Sequence, residues 1–128
     1  MEINELTRNI IGYAIKIHKR LGPGLLESTY ETCLQYELTK AGFCVQQQLA
    51  LPLIYDNLQM EIGYRIDLLV ENKVIIEIKS VEALRDVHSS QVLTYLKLSN
   101  AEIGLLINFN ESKLIDGLKR FIAKKQSY

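Results

Sequence analysis

From Asn4 to about Leu21, apolar residues recur at three- and four-residue steps, placing Leu6, Ile10, Tyr13, Ile17 and Leu21 on one stripe. That period predicts an amphipathic helix. Gly22-Pro23-Gly24 ends it, because Pro23 biases Gly22 away from helix and the glycines permit a sharp bend. A second helix is expected from about Leu26 to Ala41, with Leu26, Tyr30, Cys33, Leu34 and Leu38 as its apolar stripe and Gly42 as its C-terminal cap. Val45 to Tyr55 reads as a strand, placed at a sheet edge by Pro52, and Asp56-Asn57 as a turn. Met60 to Val70 and Val74 to Ser80 form a central hairpin. Asp86 to about Leu98 predicts a third helix with Asp86 as N-cap. Ile103 to Phe109 is nearly all apolar, which suits an interior strand running parallel to a neighbour across a helical crossover. Lys113 to Ile122 stays open: Asp116-Gly117 suggests a turn, and Leu118 to Ile122 fits strand or helix.

The order α-α-β-β-β-α-β plus a C-terminal tail describes an α/β fold, a small mixed β-sheet flanked by helices. With 128 residues, 48% of them hydrophobic, the chain can bury one real core, so residues 1–128 are expected to form a single folded domain. Lys+Arg and Asp+Glu number 15 each. The resulting zero net charge gives no global attraction to nucleic acid, so any phosphate contact must come from a local patch or a metal. Lys16, Lys19 and Arg20, and later Lys119, Arg120, Lys124 and Lys125, read as solvated faces and a tail. Cys33 and Cys44 fit neither a zinc knuckle nor a redox pair and are expected to be buried, reduced thiols. Polar residues interrupt the first apolar positions, and no apolar run approaches bilayer length, so a soluble cytoplasmic protein without membrane contact is expected.

The candidate chemistry lies in the hairpin. Asp67 and Glu77 stand where half-buried strands prefer aliphatic residues. A buried carboxylate is costly unless it is paired or binds a cation, and Mg²⁺ is the simplest cation to hold there. Glu77 and Lys79 share one face of their strand, and Ile76 and Ile78 share the other. Asp67 joins Glu77, and Arg65 lies opposite Lys79, if Asn72 centres the hairpin; a plain two-residue turn at Asn72-Lys73 turns Asp67 away. A shared site therefore requires an unusual loop at Glu71–Lys73. On the third helix His88, Gln91 and Tyr95 stack on one face. On the second helix Glu27 sits on the apolar side, three residues before Tyr30, either as a metal ligand or as the partner of Lys79.

An Asp, then Glu-x-Lys on the next strand, then Gln-x-x-x-Tyr on the following helix resembles the PD-(D/E)xK nuclease superfamily, especially its RecB-like branch. The segment Gly24-Leu25-Leu26-Glu27-Ser28-Thr29-Tyr30 resembles the signature of the GxxExxY proteins grouped with it. This resemblance implies a restriction-endonuclease-like core and a metal-dependent nuclease acting on DNA in repair or defence. It implies that Asp67, Glu77 and Glu27, with the Ile78 carbonyl, hold Mg²⁺ or Mn²⁺. Lys79 would orient or help deprotonate the attacking water and stabilise transition-state charge, and Gln91 and Tyr95 would position the metal site or a phosphate. His88 and Arg65 are candidates for substrate binding. Ile66 stands where the superfamily name has proline, a position whose role is geometric. The alternative is a non-catalytic module on the same fold that binds nucleic acid or protein, and an exposed edge near Val45–Tyr55 could support a homodimer.

Overall fold

In α1 (Ile3–Leu21) the buried stripe runs through Leu6, Ile10, Ala14 and Ile17. Tyr13 flanks that stripe half-buried, and Leu21, at the exposed helix end, lies outside it. The computed structural model describes residues 1–61 and 64–124. Gly22 and Gly24 take φ of 72° and 94°, a left-handed backbone that lets the chain reverse into α2 (Glu27–Lys40). Leu26 was expected in the α2 stripe; it is instead the exposed N-cap residue, left outside by the preceding reversal. Gly42 ends α2 as expected: its N–H donates to Thr39 O and the Phe43 N–H to Leu38 O, with Gly42 at φ 95°.

The strand expected over Val45–Tyr55 is two strands in two sheets. β1 (Val45–Ala50) pairs with the main sheet, and Pro52, which has no N–H to donate, marks where the chain leaves it. β2 (Leu53–Tyr55) and β3 (Leu58–Met60) form a separate antiparallel hairpin turned at Asp56, φ 55°. The strand expected over Met60–Val70 is likewise divided: Met60 closes β3, and β4 spans Arg65–Val70. Residues 62–63 of that expectation lie outside the described residues.

The main sheet has the order β1-β4-β5-β6-β7, with β5 at Val74–Lys79, β6 at Ile103–Asn108 and β7 at Leu118–Ile122. β5 and β6 are parallel across α3 (Asp86–Leu98), and the other neighbours are antiparallel. All six residues of β6 are buried, as an interior strand requires. A 3-10 turn at Leu114–Gly117 precedes β7, so the open C-terminal segment is turn and then strand. α1 and α2 cover one sheet face over Leu68, Val70, Ile76, Ile78 and Leu105. α3 covers the other over Ile66, Leu69, Ile75 and Leu106. The sequence expectation of an α/β core with a small mixed sheet between helices holds, with the β2–β3 hairpin as an addition.

Asp86 is the first residue of α3 and not its N-cap. Arg85 occupies the cap, and its N–H donates to His88 Nδ1 at 2.9 Å. The thiols also differ from expectation: Cys33 is half-buried and Cys44 is exposed, because Cys44 lies at the solvent-facing start of the edge strand. Lys16 pairs with Glu37 at 3.0 Å, and Arg120 donates to Asn4 at 2.7 Å. Lys125 of the basic tail lies outside the described residues. Among the described residues no helix is long and apolar enough to cross a membrane.

Candidate active site

The geometry of the site begins in the loop between β4 and β5. Val70 lies opposite Val74, Leu69 opposite Ile75 and Leu68 opposite Ile76, a register centred on Asn72. Glu71 and Asn72 take φ of 53° and 55°, and the Lys73 N–H donates to Val70 O at 2.9 Å. Two successive left-handed residues outside glycine are costly, and here they fix the register that sets Asp67 opposite Glu77.

The β4–β5 ladder stops at Leu68 and Ile76. Beyond it, carboxylates replace carbonyls as acceptors. The Asp67 N–H donates to Glu77 Oε1 at 3.1 Å, and the Ile78 N–H donates to Asp67 Oδ2 at 2.9 Å. Each acid therefore satisfies a backbone donor of the other strand, which explains why two carboxylates can occupy adjacent strand positions. Glu77 is 1% exposed. Burial, reinforced by the negative charge of Asp67, pushes its carboxyl up to about 9, and Lys79 only partly opposes this. Glu77 consequently holds a proton at neutral pH.

Lys79 is half-buried at the end of β5, on the α3 side with Glu77, and lines a shallow pocket with Tyr64, His88, Gln91 and Tyr95. Gln91 donates to the Tyr95 hydroxyl at 3.0 Å. Burial, together with the charge Glu77 carries in the alkaline range where the phenol titrates, raises Tyr95 above its ordinary value. Burial and the cations Lys79 and Arg85 lower the His88 imidazole, against a weaker opposing pull from Glu27. A neutral His88 whose Nδ1 accepts from Arg85 carries its proton on Nε2. The Arg65 side chain is exposed at the start of β4 and does not line this pocket.

Glu27 differs from expectation. It is exposed at the first turn of α2, so burial gives it no need of a cation. Its Oε2 accepts from the Ser80 N–H at 3.3 Å, next to Lys79 in sequence. The loop before it is firmly tied. Tyr30, fully buried and stacked on Phe109 with ring centroids 4.4 Å apart, donates its hydroxyl to Gly22 O at 2.6 Å and accepts from the Leu25 N–H at 3.0 Å. Ser80 Oγ then donates to Leu25 O at 2.6 Å. Glu27 and Leu25 thus fasten the start of α2 to Ser80 at the end of β5, and Tyr30 braces the loop that carries Leu25.

Two participants were missed from sequence. Glu31, one helical turn beyond Glu27, is 8% exposed and accepts from Gln47 and Gln48 at 2.7 and 2.8 Å. Gln48 also reaches Asp67 Oδ1 at 3.2 Å. The available signal was that Glu31 adjoins Tyr30 and precedes Leu34 by three, the buried side of α2.

A model of the PD-(D/E)XK nuclease superfamily matches residues 4–121. The chain belongs to that superfamily. No curated protein and no solved structure matches the chain. In this PD-(D/E)XK superfamily member a broad concavity lies by Asn4, Lys97, Glu102 and Arg120, away from the acid pair.

The superfamily's divalent cation can be tested against these residues. Asp67 and Glu77 are oxygen donors on neighbouring strands, and the burial that keeps Glu77 protonated is relieved if a cation takes that proton's place. Among the described residues no three of His, Cys, Asp and Glu are grouped to hold an ion by themselves. That donor set fits Mg²⁺ or Mn²⁺, since Mg²⁺ is commonly held by one or two carboxylates with water and substrate phosphate completing the shell.

Proposed function

We propose that this protein is a metal-dependent nuclease that hydrolyses phosphodiester bonds in DNA. The observation that carries the reading is the reciprocal Asp67–Glu77 pair, with Lys79 one strand step away on the same face. Asp67 and Glu77 would hold Mg²⁺ or Mn²⁺, with the Ile78 carbonyl and Glu27 as further candidate donors. Such a cation supplies charge neutralisation at the phosphate and lowers the pKa of water.

This chain's own residues supply the rest. Lys79 adds a fixed positive charge where the attacking water meets phosphorus, and stabilises the charge that builds on the non-bridging oxygens. The water oxygen gives up a proton and forms the new bond to phosphorus as the bond to the leaving sugar oxygen breaks, and the leaving oxygen takes up a proton. His88 presents an Nε2–H beside Lys79, suited to a phosphate oxygen. Gln91 and Tyr95 brace the α3 side of the cleft, and the exposed Arg65 would meet the flanking backbone.

The test uses linear, nicked and single-stranded DNA in Mg²⁺ or Mn²⁺, with Asp67→Ala and Lys79→Ala prepared alongside. Loss of cleavage in both variants is expected. Equal cleavage by all three proteins points to a contaminant and removes the proposal. Zero net charge favours a second reading, a non-catalytic binding module on this fold. That reading predicts binding of DNA or protein that neither substitution weakens.

A further inference from the structure

Gln48 breaks the rules of the strand that contains it. It lies in β1 at φ 51°, a left-handed conformation that is strained for a residue with a side chain. Pairing is regular on both sides, with Gln47 opposite Leu68 and Leu49 opposite Ile66, so Gln48 stands opposite Asp67. Successive strand residues normally point to opposite faces. Here the amides of Gln47 and Gln48 both reach the Glu31 carboxylate. The left-handed backbone at Gln48 accounts for this doubling, because it turns two consecutive side chains toward one acceptor.

The consequence reaches the acid pair. The Gln48 amide has two protons. One goes to Glu31 Oε1 at 2.8 Å, and the other to Asp67 Oδ1 at 3.2 Å. Glu31 is buried on α2 and makes a fixed anchor. The other Asp67 oxygen is already committed to the Ile78 N–H. Both oxygens of Asp67 are therefore held, one by β5 and one by a strut that crosses β1 to α2. Strain held at a site by surrounding contacts is a mark of function.

We propose that Gln48 is a positioning residue, whose strained backbone and bridging amide hold the Asp67 carboxylate in a cation-ready orientation by anchoring it to Glu31. This rests on the reading of Asp67 and Glu77 as a cation site. Removing groups that orient metal ligands weakens metal affinity by about 10- to 100-fold.

The test measures Mn²⁺ affinity through the paramagnetic resonance signal of free Mn²⁺, alongside urea denaturation of the metal-free proteins. Gln48→Gly relieves the backbone strain while deleting the strut. The expected result is Mn²⁺ binding weakened about tenfold or more with stability held or increased. Gln48→Asn also tolerates a left-handed backbone, but its shorter arm cannot span both acids, so the same loss of affinity is expected should the glycine variant fold poorly. Gln47→Ala loses a bond to Glu31 but none to Asp67, and is expected to bind Mn²⁺ like the wild type. Unchanged affinity in both Gln48 variants, beside a wild type that binds, overturns the positioning role alone. A Gln47→Ala variant as weak as those at Gln48 also overturns it, because Glu31 rather than the bridge would then be responsible. A wild type that binds no Mn²⁺ overturns the cation-site reading and this proposal with it.

Discussion

Glu77→Gln is expected to stabilise the metal-free protein at neutral pH. The amide has the shape of the protonated acid: its oxygen still accepts the Asp67 N–H, and its nitrogen donates where the acid's own proton would. In the wild type the Glu77 carboxyl is pushed from 4.5 to about 9, by burial first and by Asp67 second. Between those values the folded state retains a proton that the unfolded chain releases, so this contribution lowers stability as pH rises through that window. At pH 7 the penalty has accumulated over the interval from 4.5, which amounts to about 3 kcal/mol. For a chain of this size that corresponds to a rise in Tm of about 10 °C for the variant. At pH 5 the penalty has barely begun, and the two proteins should agree to within about 1 kcal/mol. The assay is urea denaturation in the presence of a chelator at pH 5 and pH 7. A variant less stable than wild type at pH 7, or a gap of equal size at both pH values, refutes the assignment of a buried, protonated Glu77.

Mg²⁺ binding should displace the Glu77 proton, so calorimetry at pH 7 in buffers of different ionisation enthalpy is expected to show release of about one proton per ion. Uptake of no proton in either direction contradicts it. Tyr30→Phe leaves Gly22 O and the Leu25 N–H without their partner, and should cost about 1–3 kcal/mol by denaturation. Gly104→Ala places a Cβ 2.5 Å from Val92 Cγ1, between β6 and α3, and should cost about 1–3 kcal/mol through overpacking.

The parts of this fold that depend on local periodicity were legible from sequence. α1, α2 and α3, the apolar β6 and the Gly42 cap all follow from patterns a few residues long. The register of Asp67 against Glu77 was posed correctly as a choice between two loop geometries, because side-chain period and loop length are coupled. The choice itself rests on left-handed backbone at both Glu71 and Asn72, and of the two only asparagine favours that conformation. Pro52 signals an edge but also ends pairing with the main sheet, a break that the continuous strand pattern of Val45–Tyr55 conceals along with the β2–β3 hairpin. Glu27 was assigned to the apolar side from spacing alone, whereas Glu31 is the buried acid of α2. Gln48 was invisible, since its role depends on a bend in β1 and on two partners 17 and 19 residues away.

The most direct measurement is anomalous scattering from a crystal of the wild-type protein soaked in Mn²⁺. A peak bounded by the carboxylates of Asp67 and Glu77, absent from Glu77→Gln crystals treated alike, is the expected result. A featureless map between those carboxylates at millimolar Mn²⁺, with the reciprocal hydrogen bonds intact, contradicts the claim that the acid pair is a cation site.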